Sequence, residues 1–123
     1  MAPSSQQLRQ GSIVWARVSG RPGKVKLRPL VVITATDEIV LDAPIVGVAI
    51  TSTFPEPSPA QYVTLPWSAD RHPATGLARR SAAVCNWLVE LQPSDIEEIK
   101  GFVPTRYLLD ILERVREFNP SAD

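Results

Sequence analysis

Arg21, Lys24, Lys26 and Arg28 place four cations within eight residues, around the breaks made by Gly20, Pro22 and Gly23, with no carboxylate among them. A rim of this kind suits an anionic ligand, because cations crowded on a short connection repel one another until an anion is present. Arg28 directly precedes Pro29 at the mouth of the apolar run Leu30-Val31-Val32-Ile33-Thr34. A second basic segment carries Arg71, Arg79 and Arg80, with His72 beside the first of them. His72 alone has an ordinary pKa near neutrality, which makes it the default acid–base candidate, yet the sequence offers it no orienting partner. Cys85 is the single cysteine, so no intramolecular disulfide forms, and its expected role is that of a small buried hydrophobe. One cysteine and one histidine argue against a protein-only zinc site, and neither a metal nor a cofactor is expected.

Net charge is zero, with 13 cations and 13 acids, but the signs are sorted along the chain. Residues 1–36 hold six cations and no acid, whereas residues 37–70 hold five acids and neither lysine nor arginine. Residues 71–80 are again purely basic, and the remainder is acid-rich. If the two basic segments meet in the fold, a neutral molecule acquires one positive face. Solvated loop charges would give the same composition, and the sequence alone leaves both readings open.

The elements that must position these residues follow from the punctuation. With 123 residues, 44% hydrophobic and 21% charged, the chain fits one soluble domain over residues 11–118, with a loose leader over 1–10 and a frayed tail over 119–123. No apolar run approaches a membrane span and residues 1–10 lack a signal-peptide core, so a cytoplasmic location without membrane attachment is expected. Strands are predicted at Ile13–Val18, Leu30–Ala35, Ile45–Ile50, Gln61–Leu65 and Ala83–Leu91, joined by turn signals, which favours a compact barrel over a parallel α/β sheet. The stretch Gly20 to Arg28 reads as a basic loop, Thr53–Ala60 as a stiff proline-rich connection and Trp67–Arg80 as a long loop. Ser94-Asp95-Ile96-Glu97 has capping-box spacing and predicts a short helical turn. From Thr105, Tyr107, Leu108, Ile111, Leu112 and Val115 recur at helical spacing and predict a terminal amphipathic helix.

The ordered series Gly11-Ser12-Ile13-Val14-Trp15, Arg28-Pro29-Leu30-Val31-Val32-Ile33, Val48-Ala49-Ile50-Thr51-Ser52 and the late strand Ala83–Leu91 before a helix resembles the MazF/PemK toxins of bacterial toxin–antitoxin systems. The resemblance implies a mainly β fold with some α, an SH3-like small β-barrel of the CcdB/MazF kind with a C-terminal helix. It also implies a homodimeric, metal-independent endoribonuclease acting on single-stranded RNA and restrained by a cognate antitoxin. Carried over, Arg28 and Thr51 become the catalytic pair. Arg28 holds the scissile phosphate and takes part in proton transfer, and Thr51 donates a hydrogen bond to a phosphate oxygen, with Ser52 and Thr53 assisting. Lys24, Lys26, His72, Arg79 and Arg80 are assigned to the RNA path. Trp67, beside the long loop, is suited to stacking on a base, and Trp15 and Trp87 to the core or a dimer interface.

The family's hydroxyl- and acid-bearing loop before Arg-Pro is replaced here by Gly20-Arg21-Pro22-Gly23-Lys24-Val25-Lys26-Leu27, and Cys85-Asn86-Trp87 stands where an acid and glutamine are common. Two alternatives therefore accompany the nuclease. One is a catalytically degenerate relative that keeps antitoxin binding. The other is a non-catalytic SH3-like binding module, since GSIVWARVSGRPG is also similar to the opening of PWWP readers. Arg28 as a rim charge and Thr51 as an ordinary strand terminus are the plainer readings of the two principal residues.

Overall fold

β-Branched residues at both parities of the first two strands give each strand two apolar faces, and both faces are used. In a computed structural model, which describes residues 8–21 and 23–119, the strands are β1 (Ser12–Arg21), β2 (Lys24–Val32), β3 (Ile45–Thr51), β4 (Tyr62–Leu65), β5 (Ser81–Leu91) and β6 (Ile96–Phe102). A helix, α1 (Thr105–Phe118), follows. The strands form one antiparallel sheet in the order β4-β5-β3-β2-β1-β6. Ile13, Val31 and Val48 turn to one side, where they pack with Leu77, Val103 and Ile111 of the helix. Val14, Leu30 and Ala49 turn to the other, where they meet Leu91 of β5 and Ile96 of β6. Leu91 and Ile96 come from opposite sides of the sheet order, so their sharing one cluster shows that the sheet curls upon itself. Register shifts within β1–β6 and β3–β5 supply the bends. The small mainly β barrel with a terminal helix is met in this form.

Two local expectations are corrected. The basic connection is not a loop, because Lys24, Lys26 and Arg28 lie on β2, opposite Arg21, Val18 and Ala16 of β1. Lys24-Val25-Lys26-Leu27-Arg28 alternates with the period of a strand, and the alternation outweighs its charge. The helical turn expected at Ser94 is a single 3-10 turn over Pro93–Asp95, and β6 follows it directly. There Asp95, not Glu97, accepts the backbone N–H of Gln92 at 2.9 Å.

Of the expected leader, residues 1–7 lie outside the described residues. Leu8 is buried in the second cluster, and Gln10 donates its side-chain amide to the Ile33 carbonyl at 2.9 Å. Residues 120–123 of the expected tail also lie outside; Asn119 donates to the Cys85 and Val115 carbonyls, both at 2.8 Å. Among the described residues no helix is long and apolar enough to cross a membrane.

Candidate functional site

The site is opened by a missing donor. β2 and β3 pair at Val32–Gly47, Val31–Val48 and Leu30–Ala49, and there the pairing stops. The next residue of β2 is Pro29, which has no N–H to give. The same register, continued past the break, sets Arg28 opposite Thr51. The two residues thus occupy facing positions on strands that have just parted, while Arg28 stays paired with Ala16 of β1 and Thr51 with Ala82 of β5.

A cavity of about 540 Å³ lies at this opening. Lys26, Arg28 and Pro29 of β2, Thr51 and Ser52 at the end of β3, Trp15 of β1 and Lys100 of β6 line it, and Arg71 to Arg79 of the long loop close it. Among the described residues five cations face into or rim this space, Lys26, Arg28, Arg71, Arg79 and Lys100, and no carboxylate lines it. Low-dielectric walls around charges of one sign concentrate anions, so the two basic stretches of the sequence act as one surface.

The long loop is a built wall. The Thr75 hydroxyl, fully buried, donates to the Pro66 carbonyl at 2.8 Å and accepts the Leu77 N–H at 3.1 Å. Phe102 donates its N–H to the Ala74 carbonyl at 2.9 Å, which ties the loop to β6. Gly101 and Gly76 allow this approach: a Cβ on Gly76 would sit 2.7 Å from the Lys100 oxygen, and one on Gly101 would strike the Ala74 oxygen.

Of the residues expected in a site, Arg28, Thr51, Lys26, Ser52 and Arg79 are brought together around the cavity. Lys24, Thr53, His72 and Arg80 are not among its lining. Arg80 instead lies over the Phe54 ring at 3.7 Å, pairs with Glu56 at 2.9 Å and donates to the Phe54 carbonyl, so it fastens the proline-rich connection. The Nδ1 of His72 accepts the N–H groups of Ala74 and Thr75, a turn-building role. Thr53 contributes backbone, since its N–H donates to the Thr51 hydroxyl at 3.2 Å and its carbonyl lies 3.1 Å from the same hydroxyl. Arg28 stacks over Trp87 with its guanidinium carbon 4.9 Å from the ring centroid. Arg71 and Lys100 belong to the cavity and were missed. Lys100 was hidden by the helical reading of Ser94–Glu97; Arg71, in the second basic segment, had a visible signal in its charge.

Among the described residues Trp15 is the one aromatic lining the cavity, and its charged neighbours are cations, which disfavours an aromatic cage for a methylated lysine. Burial pushes the Cys85 thiol up to about 11, so it is protonated at neutral pH and unsuited to nucleophilic work.

No protein-family model matches the sequence, and no curated protein matches it. Solved structures do. A MazE–MazF structure from Deinococcus radiodurans matches with a TM-score of 0.71 at 15% identity, over 99% of this chain and 99% of that one. An endoribonuclease from a mycobacterial species gives 0.68 at 15% identity, over 98% and 93%. Mycobacterium tuberculosis toxin MazF-mt6 gives 0.66 at 17% identity, over 89% and 96%. The chain therefore has a MazF-like fold over nearly its whole length, and at these identities the likeness is one of fold.

Proposed function

We propose that this MazF-like chain is a metal-independent endoribonuclease of the toxin type, cleaving single-stranded RNA at the opening between β2 and β3. The observation that carries the reading is the juxtaposition of Arg28 and Thr51 at facing positions just past Pro29, in a cavity that, among the described residues, is lined by five cations and no acid. In RNA cleavage of this kind the 2′-oxygen of the substrate attacks the adjacent phosphorus, the bond to the 5′-oxygen breaks, and a 2′,3′-cyclic phosphate and a 5′-hydroxyl are left. The 2′-proton passes to solvent water, since no carboxylate or imidazole lines the cavity among the described residues, and the 5′-oxygen takes a proton from solvent. Between these events the phosphorane carries extra negative charge, and fixed donors aimed at it lower the barrier.

Arg28 supplies a planar fork of donors matched to phosphate oxygens. A guanidinium is a strong holder of charge and a poor free base, so the part of Arg28 is that of a hydrogen-bond donor toward the departing oxygen. Thr51 supplies an O–H. Its exchange of the Thr53 carbonyl for a phosphate oxygen replaces a neutral hydrogen bond with a charge-assisted one. Arg28 likewise trades a partly exposed cation–π contact, worth about 0.5–1 kcal/mol, for ionic hydrogen bonds. A homodimer would align two such openings into one longer groove. An antitoxin segment with acidic side chains would compete for the same cations, and the MazE-bound neighbour in fold makes a partner of that class the natural one to test.

A second reading rests on those same contacts. Both principal side chains already have intramolecular partners, Trp87 for Arg28 and Thr53 for Thr51, as expected of a relative that binds but no longer cuts. One experiment separates the two. Under the nuclease reading, purified protein cuts a broad single-stranded RNA library in excess EDTA, and Arg28→Ala slows cutting by about 100-fold or more. Undiminished cutting by Arg28→Ala removes that residue from the mechanism, and an inactive wild type leaves the degenerate reading standing.

A further inference from the structure

We propose that Arg71 and Lys100 form a second anion subsite in the cavity, one that takes an RNA phosphate neighbouring the phosphate over Arg28 and Thr51. The RNA half of this statement rests on the function proposed above; the anion site rests on the geometry of the wall.

Lys100 is the first observation. Its side chain is only 18% exposed, and the nearest carboxylate, Glu98, stands 3.8 Å from Nζ, beyond hydrogen-bond reach. The stem of Lys100 is packed into the wall while its ammonium, without a hydrogen-bonded partner, keeps contact with solvent, so an incoming anion meets a donor with bonds to give. Arg71 is the second. It is the one non-glycine residue with positive φ among the described residues, at 72°, a conformation that a side chain bearing a Cβ rarely adopts. The strain is held on both sides: Arg71 N–H donates to the Ser68 carbonyl at 2.8 Å, and His72 N–H to the Leu77 carbonyl at 3.0 Å. Among the described residues no carboxylate lies within salt-bridge distance of Arg71.

The two cations come from separate elements and are held in one wall by the docking of Ala74 on Phe102 and of Gly76 on Lys100. Their backbones are held in place, so the ordering cost of binding is confined to the two side chains. The cavity, about 540 Å³, is also larger than one phosphate requires and lies in the usual range of roughly 300–1,000 Å³ for sites that hold nucleotide-sized groups.

The test uses the full chain and an uncleavable 2′-O-methyl RNA hexamer, with binding measured across a salt series. Arg71→Asn is chosen because asparagine tolerates positive φ, and Lys100→Met because it keeps the apolar stem. The double variant should flatten the log–log salt slope by about 1.4, two contacts at about 0.7 each. Arg71→Lys should retain the wild-type slope, and the thermal midpoint of each variant reports folding separately. A wild-type slope and affinity in a folded double variant overturns the proposal. If the wild type binds no RNA, inorganic pyrophosphate is titrated while the amide signals of Gly76 and Gly101 are followed by NMR. Shifts that vanish in the double variant keep the anion subsite and discard only its RNA assignment, whereas unmoved amides overturn the subsite itself.

Discussion

Replacing Gly101 by alanine tests whether the long loop is a fixed wall. Gly101 does not occupy the left-handed region, so alanine adds no backbone strain and the effect isolates the collision. The new methyl would lie 2.7 Å from the Thr75 carbonyl carbon and would overlap the Ala74 oxygen. Both are backbone atoms, so no rotamer change relieves the contact and the loop must lift from β6. Lifting gives up the Phe102-to-Ala74 hydrogen bond, about 1 kcal/mol, and begins to expose Leu77, whose full burial is worth roughly 1.5–3 kcal/mol. Against this, alanine stiffens the unfolded chain by about 0.4–1 kcal/mol. The net expectation is a loss of about 1–3 kcal/mol by urea titration, and a fall of roughly 5–10 °C in thermal midpoint for a domain of this size. RNA affinity should fall with it at temperatures where the variant is still folded, because Arg71 and Arg79 ride on the loop. A Gly101→Ala protein within about 0.5 kcal/mol of the wild type would refute the rigid-wall account.

Three further outcomes are expected. Arg80→Ala should destabilise the fold by about 1 kcal/mol through the lost Phe54 stacking and Glu56 pairing, while the affinity and salt slope of RNA binding stay unchanged; a flatter slope would return Arg80 to the RNA path. Cys85, with its thiol raised to about 11 by burial, binds its proton more tightly folded than unfolded, so stability should decline as pH rises from about 9 toward 11, and Cys85→Ser should lose that part of the decline in urea titrations. Light scattering at micromolar concentration should report a dimer, in which the exposed Val25, Leu27 and Trp87 are candidate contacts, and a strictly monomeric protein would contradict the paired groove.

Periodicity and punctuation make five of the six strands and the terminal helix legible, because the apolar residues of β1, β3, β5 and α1 repeat at the spacing of their own element. Two errors have one cause. Charge in Lys24 to Arg28 and a capping-box spacing at Ser94 both mask period-two alternation, which conceals residues 24–29, two thirds of β2, and all of β6, and with β6 Lys100. The pairing of Arg28 with Thr51 was available only as a resemblance, since nothing within either segment says that the other lies across from it. The structure supplies a physical reason for the Arg-Pro dipeptide. Arginine alone would continue the ladder, and proline alone would end it with no charge at the break. Together they part β2 from β3 and leave a guanidinium at the gap. His72 and Arg80 lie outside the cavity lining for a converse reason: residue type suggests chemistry, but each is engaged locally, His72 as a turn acceptor and Arg80 as a clamp on Phe54. The residues that remain around the cavity are those whose polar groups the fold leaves unspent or bound weakly enough to be traded for an anion.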